Sequence, residues 1–175
     1  MPSFKEKYGP WAVIAGAAEG LGKAYSVSLA GKGLNLLMID NQKKILQTLA
    51  TELEKKYVIQ TMTLHLDLGE NEAVKKIMAA VGEKNAGLLV YNAAVSRISR
   101  FTELPPEVID TFVEVNVKTQ IRLVHAFSKN LIAKNRPGGI LLMSSLAGLI
   151  GMQLVAPYAA SKAFAGIWPR RCIMN

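Results

Sequence analysis

The sequence contains a single cysteine, Cys172, so no disulfide bond can form within the chain. A lone thiol fits a reducing compartment, and we expect the protein to be cytoplasmic. The chain does not open with a charged segment followed by an apolar one, so a secretory signal is not expected. Apolar runs such as 139–143 are too short to cross a bilayer, so no membrane span is expected either.

Acidic residues are also scarce, since 13 Asp and Glu stand against 21 Lys and Arg, for a formal net charge of +8. Lysines occur in pairs at 43–44, 55–56 and 75–76, on three different predicted helices. This spacing is typical of solvated helix faces, whereas a nucleic-acid surface combines clustered cations with interleaved aromatic side chains. We therefore expect no nucleic-acid partner.

Metal-binding and hydrolytic motifs are missing as well. His65 falls in a strand pattern and His125 in a helix pattern, and neither has the spacing of a metal ligand. The sequence has no CxxC or HExxH motif and no nucleophile–His–Asp arrangement. We expect no bound metal ion.

Hydrophobic residues, by contrast, make up 50% of the chain, enough to build the core of one globular domain over 1–175. Strand-like runs alternate with helical patterns, which predicts an α/β fold. We expect a Rossmann-like, doubly wound parallel sheet with helices on both faces. The predicted strands are 11–15, 34–39, 60–66, 87–91 and 140–144. The predicted helices are 20–32, 42–56, 71–81, 107–135 and a last one that starts near residue 157.

A glycine-rich turn, Gly16-x-x-x-Gly20-x-Gly22, links the first strand to the first long helix. Gly16 would permit a tight turn, Gly20 would let a pyrophosphate approach the backbone, and Gly22 would let the helix pack closely. The helix starting around Leu21 would present its first N–H groups to the phosphates. A plain loop is the alternative for this glycine pattern taken alone.

The second strand pattern is followed by Asp40, twenty residues after Gly20, where a carboxylate can accept hydrogen bonds from an adenosine ribose. Capping of the next helix is the alternative, and Asp40 could serve both purposes. The glycine loop adds Glu19 and no cation, so a 2′-phosphate would meet two carboxylates. This pattern predicts NAD in preference to NADP, unless Lys43 or Lys44 reaches the ribose.

Two more strand ends carry candidate cofactor contacts, because ligands of open α/β sheets bind at the carboxyl ends of the strands. Asp67 and Leu68 lie at the end of the third strand, although Asp67 could instead start a helix. Asn92, Ala93 and Ala94 follow the fourth strand, where small side chains would let a cofactor lie close to the backbone.

The long fourth predicted helix, 107–135, places Asn116 within an otherwise largely apolar face. That face consists of Phe112, Asn116, Thr119, Leu123, Phe127 and Leu131. A buried amide needs hydrogen-bond partners, so Asn116 is either a satisfied core residue or part of a polar site.

Three side chains near the end of the chain suggest a reaction. Tyr158 and Lys162, following Ser145, would lie one turn apart on the same face of a helix. A tyrosine with a pKa of about 10 is a poor base, but a neighbouring ammonium favours its phenolate form. The Ser145 hydroxyl could bind the same substrate oxygen. Together they fit hydride transfer coupled to proton transfer at an alcohol or ketone.

The motifs jointly resemble those of the short-chain dehydrogenase/reductase family over about residues 8–164. The matching segments are the glycine turn, Asp67, 92–94, Asn116, Ser145 and Tyr158-x-x-x-Lys162. Segments 8–11 and 22–25 are also similar to the 3-ketoacyl-CoA reductase and 17β-hydroxysteroid dehydrogenase branch. The resemblance implies an oxidoreductase acting on a small-molecule secondary alcohol or ketone.

The resemblance also implies a role for each catalytic side chain. Tyr158 would be the acid/base, and Ser145 would bind the substrate oxygen. Lys162 would hold the cofactor ribose and lower the pKa of Tyr158, while Asn116 would support a proton-relay water.

The sequence departs from the family pattern at Ala15, where Thr is usual, and at Ala94, where Gly is common. It departs further after Pro169, since two more strands, a Pro-Gly turn and a substrate lid are not found. We expect a chain cut short, with its C-terminal strands missing and with little turnover. A remnant that at most binds nucleotide or a partner chain is the alternative. The homo-oligomer usual in the family becomes doubtful.

Overall fold

The computed structural model describes residues 3–171, and Cys172 lies outside this range. Its sheet has five parallel strands in the order β3-β2-β1-β4-β5, so the predicted doubly wound α/β fold is confirmed. The strands are β1 (Trp11–Ala15), β2 (Asn35–Asp40), β3 (Thr61–His65), β4 (Ala86–Tyr91) and β5 (Gly139–Leu142). The helices are α1 (Phe4–Tyr8), α2 (Gly20–Gly31), α3 (Lys43–Lys56), α4 (Ala73–Val81), α5 (Pro106–Val113), α6 (Gln120–Ala133), α7 (Ala147–Ile150) and α8 (Ala156–Ile167).

Two hydrophobic layers hold helices against the two faces of the sheet. Successive side chains of a strand point to opposite faces, so β1 contributes to both layers. Val13 and Ala15 belong to the layer that includes buried residues of α4 and α6. Ala12 and Ile14 belong to the layer that includes buried residues of α2 and α3. All strand carboxyl ends therefore meet at one edge of a sheet that is covered on both sides.

The first four predicted strands agree with the observed ones to within one residue at each end. The fifth was predicted too long, because β5 ends at Leu142. Leu142 pairs with Tyr91, the last residue of β4, so the ladder runs out at this point. Ser145 therefore lies in the loop after β5 and does not close the strand.

The single helix predicted over 107–135 is wrong in its middle. A π-helical segment, Glu114–Thr119, separates α5 from α6, and a short 3₁₀ turn, Phe101–Glu103, precedes α5. The buried polar side chains of Asn116 and Thr119 bond to the loop residues Val95 and Leu68. The spacing of apolar residues cannot reveal the π-helical segment, because a single wider turn leaves the apolar face of the helix continuous.

The helices α1 and α7 were not predicted, because segments of five and four residues are too short to show a period. α1 is held at its start by a reciprocal capping box between Ser3 and Glu6. Among residues 3–171, no helix has both the length and the apolar character needed to span a bilayer.

Candidate active site

The glycine turn after β1 has the geometry that its spacing predicts. Gly16 has a φ of +79°, and a Cβ there would lie 2.6 Å from the backbone nitrogen of Ala93. A Cβ on Gly22 would lie 1.7 Å from the Gly16 carbonyl oxygen, so the start of α2 packs directly on the turn. Both positions require glycine for close approach.

Gly20 differs from its two neighbours because it borders open space. Its φ is +55°, and an added Cβ would meet no atom within 4 Å. α2 begins at this residue, and the preceding Glu19 side chain makes no capping hydrogen bond to the helix. The Leu21 side chain is 61% exposed, so the first turn of α2 lies at the surface of the protein. Free N–H groups at such a helix start suit an anion.

The Asp40 carboxylate connects the end of β2 to the glycine turn. It accepts a hydrogen bond from the Ala18 N–H at 2.9 Å and another from the Gln42 N–H at 3.0 Å. Asp40 is buried at 8% exposure, and Gln42, not Asp40, is the residue that precedes α3. A carboxylate has about four lone-pair sites, so about two remain for ribose hydroxyls.

Asp67, Asn92 and Ala93 lie at the neighbouring strand ends, as predicted. Asp67 Oδ1 accepts from the Gly69 N–H at 2.8 Å, and α4 begins only at Ala73, so Asp67 does not cap that helix. The Asn92 Nδ2 donates to the Gly16 carbonyl at 2.9 Å, and Ala93 N donates to the Ala15 carbonyl at 2.9 Å.

These strand ends enclose a cavity of about 400 Å³. Its lining includes most of the predicted cofactor contacts: Gly16, Glu19, Asp40, Asp67, Leu68, Asn92, Ala93 and Ala94. Every charged side chain that the structure describes in the lining of this cavity is a carboxylate. The structure thus brings together residues that are up to 78 positions apart in sequence, from Gly16 to Ala94.

Asn116 is buried at 2% exposure, and both its amide oxygen and its amide nitrogen have hydrogen-bond partners. Its Oδ1 accepts from the Val95 N–H at 2.7 Å, and its Nδ2 donates to the Val95 carbonyl at 2.9 Å and to Ser161 Oγ at 3.0 Å. Ser161 in turn donates to the Tyr158 carbonyl at 2.7 Å. Asn116 is therefore a satisfied buried amide, and it links the loop after β4 to the helix that carries Tyr158.

Tyr158 and Lys162 lie one turn apart on α8, as the spacing predicts. The Lys162 Nζ is 5.6 Å from the centroid of the Tyr158 ring. Lys162 is only 4% exposed, and its Nζ donates to the Met143 carbonyl at 2.8 Å. Burial lowers the pKa of Lys162 below its usual value, because the ammonium loses water.

Ser145 and Lys162 line a second and larger cavity of about 800 Å³. The Ser145 Oγ accepts from the Ala147 N–H at 3.3 Å, which holds the start of α7. The rest of the lining is largely apolar and includes Leu142 of β5, Val124 of α6 and Trp168, which directly follows α8. The described residues include no group of three or more His, Cys, Asp or Glu side chains that could hold a metal ion.

The family model described as short chain dehydrogenase matches residues 10–170 of this chain. The chain belongs to the short-chain dehydrogenase family. The predicted resemblance over about residues 8–164 is therefore confirmed. The five-stranded parallel sheet with helices on both faces is that of a short-chain dehydrogenase fold.

Relatives of known sequence point to two kinds of enzyme. The chain is 30% identical over 162 residues to a 7beta-hydroxysteroid dehydrogenase of Collinsella aerofaciens, a match covering 93% of this chain and 61% of the relative. It is 34% identical over 171 residues to a very-long-chain 3-oxoacyl-CoA reductase of Aspergillus oryzae, covering 95% and 49%. The expected similarity to 3-ketoacyl-CoA reductases is confirmed. The hydroxysteroid dehydrogenase relative described above is a 7beta enzyme, whereas the sequence motifs suggested the 17β enzymes.

Solved structures of short-chain dehydrogenases superpose closely. One, from a study of 7beta-hydroxysteroid dehydrogenase stereoselectivity, has a TM-score of 0.89 at 29% identity and covers 93% of this chain and 62% of its own. Another, from Sphingobium yanoikuyae in complex with NADPH, has a TM-score of 0.84 at 25% identity and covers 89% and 61%. This chain thus spans 62% or less of the length of the relatives described here.

Sequence reasoning missed two polar residues that the structure places beside Asn116. Ser161 is buried between Asn116 and Tyr158, and Tyr91 donates from a fully buried hydroxyl to the Val115 carbonyl at 2.6 Å. Ser161 could have been found, since it lies directly before Lys162 on the same helix. Tyr91 gave no signal, because its strand reads as uniformly apolar.

Proposed function

We propose that the protein is an NAD-dependent oxidoreductase that interconverts a secondary alcohol and a ketone. The observation that carries this is the buried Lys162 ammonium beside the Tyr158 ring, at the sheet edge that also bears the glycine turn. A bound nicotinamide would supply the hydride acceptor or donor. Tyr158 takes the hydroxyl proton during oxidation and returns it during reduction. The Ser145 hydroxyl holds the same oxygen.

The surroundings of Lys162 support its role next to Tyr158. One of its three N–H bonds is directed to the Met143 carbonyl, which leaves two for a ribose hydroxyl and for the side facing Tyr158. The Lys162 Nζ lies 5.6 Å from the centroid of the Tyr158 ring, so its positive charge acts directly on the tyrosine during the proton-transfer step. Asn116 uses both of its amide hydrogens, so a relay water would bind its second Oδ1 lone pair or its backbone carbonyl.

The preference for NAD is argued from the acidic lining of the 400 Å³ cavity. Asp40 has lone pairs left for ribose hydroxyls, whereas a 2′-phosphate would meet the charges of Asp40 and Glu19. Solved structures of relatives include complexes with NADPH and with NADP, so similarity to them does not favour NAD. The proposed preference for NAD rests on the acidic side chains of this chain's own cavity. We further propose a cytoplasmic location, on the basis of the lone Cys172.

A second candidate function is a nucleotide-binding remnant without turnover. The larger cavity opens beside Lys162, and β5 is an edge strand of the described sheet. The cavity beside Lys162 has a volume of about 800 Å³, twice the roughly 400 Å³ of the cavity next to the glycine turn, and its lining is largely apolar.

Two measurements on the 175-residue protein separate these functions. Calorimetric titration with NADH tests cofactor binding. An absorbance assay with NAD and a panel of secondary alcohols, including a 7β-hydroxysteroid and a 3-hydroxyacyl-CoA, tests turnover. Binding with slow turnover supports the oxidoreductase. Binding without turnover supports the remnant, and no binding contradicts both.

The assignment of Tyr158 is tested in a chimera that continues α8 with the C-terminal region of the Collinsella relative. Tyr158→Phe should abolish turnover and leave NADH binding nearly intact, because only the proton-carrying oxygen is lost. Lys162→Ala should weaken both. Substantial turnover by Tyr158→Phe would refute the assignment.

A further inference from the structure

Tyr91 occupies the end of β4, directly beneath the candidate active site. Its side chain is fully buried, and its hydroxyl donates to the Val115 carbonyl at 2.6 Å. Desolvation raises the pKa of Tyr91 far above its ordinary value. The phenol therefore stays protonated across the working pH range and remains a permanent donor.

Val115 lies in the π-helical segment Glu114–Thr119, one residue before Asn116. A π turn interrupts the regular α-helical ladder, so its backbone position depends on contacts from outside the helix. Two side-chain hydroxyls supply such contacts. Tyr91 holds the Val115 carbonyl, and Thr119 Oγ1 donates to the Leu68 carbonyl at 2.8 Å.

The Asn116 side chain extends from this turn towards α8. It bonds to both the N–H and the carbonyl of Val95 and donates to Ser161 Oγ, which donates to the carbonyl of Tyr158. A shift of the turn would therefore act on the backbone position of Tyr158. Rates of positioned proton transfer fall steeply with sub-ångström to one-ångström misplacement.

We infer that Tyr91 is a positioning residue for Asn116 and, through Ser161, for Tyr158. Its hydroxyl fixes the π turn by holding the Val115 carbonyl, and the turn sets where the Asn116 amide meets Val95. The consequence for turnover rests on the proposed oxidoreductase function. The effect on the Asn116 hydrogen bonds is independent of that function.

The test compares Tyr91→Phe with Phe127→Leu in the 175-residue protein. Tyr91→Phe keeps the buried ring and removes only the oxygen, so the sheet keeps its packing. Phe127 is fully buried on α6, so Phe127→Leu lowers stability without removing a bond to the π turn. Amide hydrogen exchange of Val95, whose N–H is held by Asn116, is measured by NMR together with melting temperature, kcat and KM.

Tyr91→Phe should speed exchange of the Val95 amide about tenfold beyond what its loss of melting temperature predicts. It should also lower kcat about tenfold at nearly unchanged KM, because positioning and not binding is affected. Phe127→Leu should change Val95 exchange only in proportion to its melting temperature. Equal behaviour of the two variants would overturn the inference. Absence of turnover in the wild type counts against the proposed function alone, since Val95 exchange still decides the role of Tyr91.

Discussion

The Nζ of Lys162 donates a hydrogen bond of 2.8 Å to the carbonyl oxygen of Met143. Met143 directly follows β5, so this bond ties the helix that carries Tyr158 to the edge strand of the sheet. It also holds a lysine at 4% exposure, and within residues 3–171 no carboxylate pairs with this ammonium, which is rare for a buried lysine. The local chemistry of the site and the stability of the sheet edge therefore depend on the same side chain.

The buried lysine gives the stability of the protein a specific pH dependence. Burial lowers the pKa of Lys162 in the folded state, while the unfolded chain keeps a value near 10.5. Between these two values the unfolded state binds more protons, so the free energy of unfolding rises with pH. The unfolding free energy of the wild type, compared with that of Lys162→Met, should be lowest at neutral pH. It should increase as the pH rises through the folded-state pKa of Lys162 towards 10.5.

Urea unfolding of both proteins from neutral pH to about pH 10 measures this difference. Lys129→Met, at an exposed position of α6, is the control for loss of a surface charge. The prediction would be contradicted if the difference in unfolding free energy between the wild type and Lys162→Met stayed constant with pH.

Cofactor preference should follow the acidic lining of the smaller cavity. We expect NADH to bind at least about tenfold more tightly than NADPH, a difference of about 1.4 kcal/mol. Asp40→Asn should narrow this ratio, because it removes the charge beside the ribose. Glu83→Gln, at an exposed position after α4, should leave the ratio unchanged. Calorimetric titration measures both ligands, and tighter NADPH binding by the wild type would implicate Lys43 or Lys44.

Gly20 should be required for the cofactor and not only for the turn. Gly20 and Gly33 share a positive φ, +55° and +77°, and a Cβ on either would enter open space. Alanine at either position should cost about 1 kcal/mol of unfolding free energy. Only Gly20→Ala should also weaken NADH binding, by about tenfold, since its methyl group would stand where a phosphate approaches. Equal NADH affinity of the two variants would show that Gly20 does not face the cofactor.

The 175-residue chain should self-associate through the β5 edge of the sheet. β5 is an edge strand in the described residues, and Leu141 on it is 37% exposed beside the 800 Å³ cavity. Edge strands next to apolar surface invite pairing with other chains. Size-exclusion chromatography should therefore show oligomers or aggregates.

Leu141→Lys should shift the chain towards monomer, since an edge lysine opposes pairing. Met62→Lys is a matched control, because Met62 is 38% exposed on β3, the opposite edge strand. A monodisperse wild-type monomer, or equal effects of the two variants, would disprove association through β5.

Much of the fold was predictable because the signals are local. The strands beginning at Trp11, Asn35 and Ala86 are mostly apolar runs, whereas the strand beginning at Thr61 alternates polar and apolar residues. Helical periods separate all four strands, so their positions follow from residue order. The π segment around Asn116 was not predictable, since its cause is a set of contacts to Val95, Leu68 and Tyr91 that are distant in sequence.

The positions of the first four strands, the glycine turn and the placement of Tyr158 and Lys162 on one helix face were predictable from the sequence, because their signals come from residues a few positions apart. Three contacts emerge only in the folded chain: Asp40 bonds to the glycine turn, the Asn116 amide bonds to Val95 and Ser161, and Lys162 is buried against Met143. Each of these contacts joins segments brought together by the parallel sheet. The hydrogen-bonding needs of a buried polar group limit its possible partners, but the folded chain selects which of them is within reach.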